Sequence, residues 1–268
     1  MKIGIYIRNI EMIGDIQEDI MQQAECIACG DYACPRNLPQ EEEVLRLNEI
    51  LKKQNKTLQY ISPKLSQAYI EGEYKRVLAF MNQGISISVN DWGLLYKLRP
   101  HINEEHDICI GRVLSKSIAD WYWQDIFLGF EKEKGRRYLQ QNNFNHKAKI
   151  DYFRGWGVKG VEVSINNVSE DSYKGIHDKG MYVIGFADSS ILGLARACPA
   201  TNIQNDGVHT EQCKGCRELF HLVPKKEEHK DFYPKIMVSG KVIFSQKDVE
   251  PNWDGYKRIM YTWGMGKP

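Results

Sequence analysis

Short apolar segments typical of strands alternate with amphipathic segments typical of helices along most of this chain. Residues 85–90, ISISVN, show the period of two of a half-buried strand, and residues 40–54 carry apolar side chains at helical spacing. Roughly seven such steps follow one another, which predicts parallel βαβ units. No glycine-rich GxGxxG loop follows the first strand, residues 2–8, so a dinucleotide-binding, doubly wound sheet is disfavoured.

The length of the chain agrees with one barrel. It has 268 residues, and a single (β/α)8 barrel takes roughly 250. We therefore predict one TIM-like α/β barrel domain over residues 1–268, either regular or with an irregular or incomplete ring of strands. Residues 115–153 are too long for one connecting helix and predict a helical insertion rich in aromatic side chains. Residues 236–244 predict a late β-hairpin.

Composition restricts the classes of partner and compartment. The formal net charge is +1, so the overall charge does not support binding of nucleic acid or of an anionic membrane. The N-terminal residues MKIGIYIRNI alternate like a strand and lack the long apolar core of a secretory signal. No apolar run approaches the length of a membrane span. We expect a cytoplasmic protein.

Seven cysteines are the most informative side chains of the sequence. In a cytoplasmic protein they indicate metal or redox chemistry more than disulfides. Residues 192–222 hold three of them: Cys198, and the pair Cys213 and Cys216 in a C-x-x-C spacing that lets two thiolates reach one metal or cluster from a tight turn. Cys34, which follows the second predicted strand, is the best candidate for a fourth ligand.

Both zinc and an iron–sulfur cluster fit such a ligand set. Structural zinc sites usually use two close pairs of ligands, whereas here one pair joins two distant single cysteines, an arrangement that favours a cluster. The three remaining cysteines lie within predicted strands and are expected to pack in the core; they are Cys26, Cys29 and Cys109.

Four stretches, in order along nearly the whole chain, resemble the collagenase-like peptidase family and within it the UbiV branch. They are GDYACPR at 30–36, VNDWG at 89–93, LARAC at 194–198 followed by the paired cysteines, and VSGKVIFS at 238–245. The pair is C-x-x-C here, where the branch has C-x-x-x-C. The resemblance implies a TIM-like barrel and a [4Fe–4S] cluster on four thiolates, those of Cys34, Cys198, Cys213 and Cys216.

The same resemblance implies oxygen-independent hydroxylation together with a partner that resembles UbiU. UbiV-like proteins act on the ubiquinone ring, and related members hydroxylate a tRNA uridine with prephenate as the implied oxygen donor. Polar residues that follow predicted strands are the candidate catalytic groups, namely Asn90, Asp91 and Arg196, with Glu162 and Asp188 beside them. A carboxylate donor needs a cation, which Arg196 or Arg112 could supply.

Two other functions stay open at the level of sequence. A peptidase would need a nucleophile, and a cysteine paired with His209 or His221 is the available arrangement, because neither HExxH nor GxSxG occurs. A non-catalytic iron–sulfur or zinc subunit is the other alternative, with a partner chain performing the chemistry. A closed, polar pocket at the strand ends would favour an enzyme.

Overall fold

The computed structural model describes residues 2–116, 134–135, 141–165, 170–195, 198–200, 219–222, 235–246, 249–251 and 253–264. Within these ranges, no helix is both long and apolar enough to cross a membrane.

Eight parallel strands close into a barrel, which confirms the predicted TIM-like fold. Around the ring, each strand pairs with its neighbours in parallel, and the first strand pairs with both the second and the last. The strands are β1 (Ile3–Ile7), β2 (Ala24–Gly30), β3 (Thr57–Ser62), β4 (Ser86–Val89), β5 (Ile108–Ile110), β6 (Gly160–Ser164), β7 (Tyr182–Phe186) and β12 (Arg258–Thr262).

Helices lie between the strands. They are α1 (Glu18–Gln23), α2 (Glu41–Lys53), α3 (Gln67–Asn82), α4 (Trp92–Leu98), α5 (Lys147–Arg154) and α6 (Glu170–Asp178), with 3₁₀ helices at Ile10–Asp15 and Arg99–His101. Helix α2 illustrates how local sequence sets an element. Its N-terminus has a capping box between Gln40 and Glu43, and its acidic first turn and basic last turn complement the helix dipole. Its buried side chains, Val44, Leu47 and Leu51, join the outer core.

A second sheet of four antiparallel strands is inserted between β7 and β12. It contains β8 (Ser189–Leu194), β9 (Phe220–Leu222), β10 (Lys235–Ser239) and β11 (Val242–Gln246), in the order β8-β11-β10-β9. The hairpin of β10 and β11 turns at Gly240, as the sequence predicts. Its apolar side chains share one cluster with Phe186 and Tyr32, so this sheet covers the end of the barrel where the parallel strands finish.

Two features depart from or exceed the prediction made from sequence. The closing strand β12 is not among the strands that periodicity indicates, although it completes the ring. The predicted helical insertion over 115–153 falls largely on residues 117–133 and 136–140, which lie outside the described ranges; its last part contains α5.

Candidate functional site

The loop after β2 presents Cys34 at the carboxyl end of the barrel, where TIM-barrel sites are built. Asp31 shapes this loop: its Oδ1 accepts hydrogen bonds from the amides of Ala33 (2.8 Å) and Cys34 (2.7 Å), and its Oδ2 accepts one from the side-chain amide of Asn37 (3.1 Å). Burial is the main cause that raises the pKa of the Asp31 carboxyl, and these hydrogen bonds oppose it. The carboxyl therefore holds the cysteine loop in a defined turn.

The thiol of Cys34 is surrounded by backbone groups. The side chain is 6% exposed, and the amides of Arg36 and Asn37 point to its sulfur and favour the thiolate. Burial and then Asp31 outweigh these donors and raise the pKa of the Cys34 thiol to about 11. The hairpin turn passes directly above, since a Cβ on Gly240 would lie 3.9 Å from Sγ of Cys34.

Cys198 comes from a distant part of the chain to the same place. It packs beside Ala200, Val238 and Ile243 of the second sheet, and it is near enough to Cys34 to raise the pKa of that thiol further. Two predicted ligands are thus brought together. The other two, Cys213 and Cys216, and the predicted catalytic Arg196 lie outside the described residues.

These two cysteines fit thiolate ligation of a metal or cluster. Amide donors directed at a ligand sulfur are a usual feature of iron–sulfur sites, where they tune the potential, and Cys34 has two. Within the described ranges, no group of three or more histidine, cysteine or acidic side chains is arranged to hold a metal ion. The described residues therefore supply two of the four thiolates that the sequence predicts.

The other cysteines are buried. Cys26, Cys29 and Cys109 are at most 2% exposed; Cys29 packs in the outer core and Cys109 in the barrel interior. Burial, followed by the nearby Cys26, raises the pKa of the Cys29 thiol to about 12. A neutral, enclosed thiol of this kind is chemically inert, as expected for a packing residue.

Arg112, which follows β5, is the most buried cation among the described residues, with 1% exposure. Its Nε donates to the hydroxyl of Tyr32 (3.2 Å), and its Nη1 donates to the carbonyl of Ser189 (2.9 Å). The guanidinium lies 3.7 Å from the centre of the Phe186 ring and 4.7 Å from that of Tyr32. Arg112 thereby connects β5, the cysteine loop and the second sheet, and the rings hold it by cation–π contact.

Glu162 on β6 faces the barrel interior next to Arg112. Its Oε1 accepts a hydrogen bond of 2.5 Å from Nε2 of Gln59, and its Oε2 lies 3.4 Å from the backbone nitrogen of Arg112. Complete burial raises the pKa of this carboxyl to about 7, against the lowering effect of the Arg112 charge. Gln59 also accepts from Nη1 of Arg258 at 3.5 Å, so a polar chain crosses the interior.

Asp188 lies between β7 and β8 and joins the two sheets to the closing strand. Its carboxylate accepts hydrogen bonds from the backbone nitrogen and hydroxyl of Thr262 and from the hydroxyl of Ser189 (3.2 Å). Burial is the largest influence on this group and raises its pKa. With these partners, Asp188 positions the start of the second sheet.

Asn90 and Asp91, which the sequence proposes as catalytic residues, both bind backbone groups. Asn90 is fully buried; its amide nitrogen donates to the carbonyl of Ser62 (3.0 Å) and its oxygen accepts from the amide of Val113 (3.0 Å). Asp91 caps α4 by accepting from Leu94 (3.0 Å) and also accepts from Leu65 (3.2 Å). Their catalytic roles stay predictions. The contacts show that both residues hold the backbone of the neighbouring loops by hydrogen bonds.

We expect Asp91→Ala to lower the free energy of unfolding by about 1–2 kcal/mol, because it removes a helix cap. Asp91→Asn keeps an acceptor and should cost about 0.5 kcal/mol or less. Urea unfolding of the two variants beside the wild type measures the difference. Equal stability of Asp91→Ala and wild type would contradict the capping role.

Three residues of the mouth and the barrel interior were not singled out by sequence: Tyr32, Gln59 and Ser189. Its sequence position could have indicated Gln59, since it is a polar residue between Leu58 and Tyr60 in the middle of the strand TLQYIS. Tyr32 and Ser189 carried no signal beyond their position after strand ends. Their importance comes from Arg112, which contacts both.

Comparison with known proteins gives a likeness of fold. No family model matches the chain, and no curated protein matches it. Among solved structures, the U32 peptidase Mk0906 aligns over 100% of this chain and 94% of its own, with a TM-score of 0.50 and 9% identity. A glycoside hydrolase family 18 N-acetylglucosaminidase from Paenibacillus barengoltzii aligns over 99% and 96%, with a TM-score of 0.44 and 9% identity. At these identities, the property shared with the U32 peptidase is the barrel fold.

Proposed function

We propose that this chain is an iron–sulfur protein of the collagenase-like peptidase family, which includes the U32 peptidases, and that it acts in oxygen-independent hydroxylation or a related modification. The substrate would be a small molecule or RNA, with prephenate as a candidate oxygen donor, a UbiU-like protein as partner and the cytoplasm as location. Three findings support this: the full-length fold likeness to a U32 peptidase, the ordered family motifs, and the cysteines at the mouth.

The observation that carries the proposal is that Cys34 and Cys198, both free thiols, lie near one another. Cys34 lies in the loop after β2 of the barrel and Cys198 lies after β8 of the second sheet, so they are far apart in the sequence. The charge of Cys198 is one of the influences on the pKa of Cys34, which supports a common site at the barrel end where catalytic residues of this fold lie. Together with Cys213 and Cys216, which follow on the same chain, Cys34 and Cys198 would form the donor set of a [4Fe–4S] cluster.

When bound, such a cluster supplies electron transfer. The residues of this chain would do the rest. Cys34 and Cys198 would hold the cluster, and the Asp31 turn would keep the loop of Cys34 in place. Arg112, buried beside Tyr32 of the same loop, would place a substrate oxygen near the thiolates. Glu162 would hold or release a proton on the inner side of Arg112.

The test is iron, sulfide and zinc content after anaerobic purification, with an absorption spectrum of the same sample. We expect about four irons and four sulfides per chain, and broad absorption near ~400 nm. Cys34→Ala and Cys216→Ala should lose this iron. Cys29→Ala is the matched control, because Cys29 is also buried but packs in the outer core, and it should keep the iron.

Full iron content in Cys34→Ala would contradict the ligand assignment. One zinc and no iron in the wild type would indicate a structural zinc site instead. That result would replace the hydroxylation proposal with a binding or scaffold role.

A further inference from the structure

The turn between β10 and β11 contains two residues, Gly240 and Lys241, and is held at the mouth of the barrel. Ser239 and Val242 form the last pair of the hairpin. The carbonyl of Lys241 accepts a hydrogen bond from the amide of Ala195, which follows β8 (2.9 Å). Gly240 has φ of +56°, a value that two-residue hairpin loops commonly need at their first position. The geometry of the turn is therefore one reason for a glycine here.

A second reason for glycine comes from the cysteine loop, against which the turn lies. A Cβ on Gly240 would be 3.2 Å from Nδ2 of Asn37 and 3.3 Å from Cβ of Cys34, closer than the contact distance at which non-bonded atoms attract each other best. The Asn37 amide is held in its position, because it donates a hydrogen bond to Asp31 (3.1 Å). The missing side chain of Gly240 thus lets the turn lie directly on the buried Cys34.

The hairpin meets the two cysteines of the candidate site through different parts. Apolar side chains on one of its faces, Phe244 among them, are buried in the same cluster as Tyr32 and hold the strands on the barrel. On the other face, Val238 packs beside Cys198. The strands therefore contact Cys198, whereas the turn contacts Cys34. A movement confined to the turn would expose Cys34 and leave the surroundings of Cys198 as they are.

We propose that the turn between β10 and β11 is the cover of the Cys34 sulfur, and that Gly240 determines how closely this cover sits. Solvent and small reagents then reach Cys34 when the turn lifts by local opening. Solvent exposure is one of the properties that tune an iron–sulfur site, so Gly240 is a positioning residue that acts through Cys34. The inference rests on the proposed function for the role of Cys34 as a ligand, and it deepens that function by naming the residue that controls access to this ligand.

The experiment measures how fast iodoacetamide alkylates each cysteine of the full chain purified without oxygen, by mass spectrometry of its peptides. In Gly240→Ala, the closed turn carries the strain of a left-handed alanine and of its contacts with Cys34 and Asn37. Opening releases this strain, so the alkylation rate of Cys34 should rise about 10-fold. Gly84→Ala is the matched control, because Gly84 also has a positive φ but open space surrounds the position of its Cβ. Its Cys34 should react as in the wild type.

Cys198 is the internal reference of this experiment, because the strands and not the turn contact it. Loss of a bound cluster would speed the alkylation of Cys34 and Cys198 alike, whereas opening of the turn speeds that of Cys34 alone. An unchanged rate of Cys34 in folded Gly240→Ala, or an equal rise for both cysteines, would overturn the inference.

Should Gly240→Ala fail to fold, a chain without iron decides: the wild type if it holds none, and otherwise Cys216→Ala. There, Cys34 should react at least about 10-fold more slowly than the partly exposed Cys198 and about as fast as Cys198 in denaturing urea. Comparable rates of the two cysteines in the folded chain would contradict the cover. Iron content separates the two proposals: a covered Cys34 in a wild type without iron contradicts only the cluster, and bound iron with no response of Cys34 to Gly240→Ala contradicts only this inference.

Discussion

Gly30→Ala should lower the free energy of unfolding by about 3–5 kcal/mol, a combination of backbone strain and overpacking. Gly30 ends β2 with φ of +117°, a conformation that residues with a Cβ rarely adopt. The added Cβ would also lie 2.2 Å from the carbonyl oxygen of Ile61 on the neighbouring strand. Because both atoms in that contact belong to the backbone framework, a rotamer change cannot relieve it.

The same substitution should disturb the cysteine loop. The Ile61 carbonyl that the new Cβ would meet also accepts a hydrogen bond from the backbone amide of Asp31 (3.2 Å). The Gly30 carbonyl accepts a hydrogen bond from the hydroxyl of Tyr6 (3.0 Å). Moving either strand shifts Asp31, which holds the turn of Cys34. Loss of stability in Gly30→Ala should therefore be accompanied by loss of bound iron.

Gly84→Ala is the matched control for backbone strain. Gly84 also has a positive φ, +69°, but open space surrounds the position of its Cβ. We expect a cost of about 1 kcal/mol there, from the left-handed conformation alone. Urea unfolding of both variants, with unchanged slopes, gives the comparison. Costs for the two variants that agree within about 0.5 kcal/mol would show that the contact with Ile61 is not limiting.

The second large effect is the dependence of stability on pH that Glu162 creates. Its pKa rises from 4.5 to about 7 in the folded chain, so the folded state binds more protons than the unfolded state between these values. Stability therefore falls as pH rises through this window and levels off above about pH 7. Between pH 5 and pH 8 the contribution of this one group amounts to a loss of about 2.5 kcal/mol.

Glu162→Gln should remove this slope, because glutamine resembles the protonated acid at every pH. The free energies of unfolding of variant and wild type are measured in urea at pH 5 and pH 8. The stability of Glu162→Gln relative to the wild type should be higher at pH 8 than at pH 5 by about 2.5 kcal/mol. Glu105→Gln, at an exposed position, is the control and should keep the wild-type slope. If the free energies of unfolding of Glu162→Gln and wild type changed equally with pH, the raised pKa of Glu162 would be contradicted.

Strand and helix identity could be predicted from sequence wherever one face of a segment is buried. The segment ISISVN, which ends at Asn90, alternates apolar and polar side chains and contains β4, although the structure buries both faces of this strand. The acidic start of α2 predicts where that helix begins. The closing strand β12, RIMYT, escaped prediction because it begins with Arg258 and Lys257 precedes it. These charges are stabilised by partners across the barrel, Gln59 for Arg258 and Asp107 for Lys257.

The sequence by itself determined the fold class and the local elements, among them the late hairpin. It also named four cysteines as candidates for one site. Only the tertiary structure decided which side chains meet. Cys34 and Cys198 both lie near the hairpin of β10 and β11 because the second sheet folds back over the barrel mouth. Glu162 lies beside Arg112 because β5 and β6 are neighbours in the ring. Periodicity reports only which face of a segment is buried, whereas these contacts and the raised pKa of Glu162 depend on groups far apart in the chain.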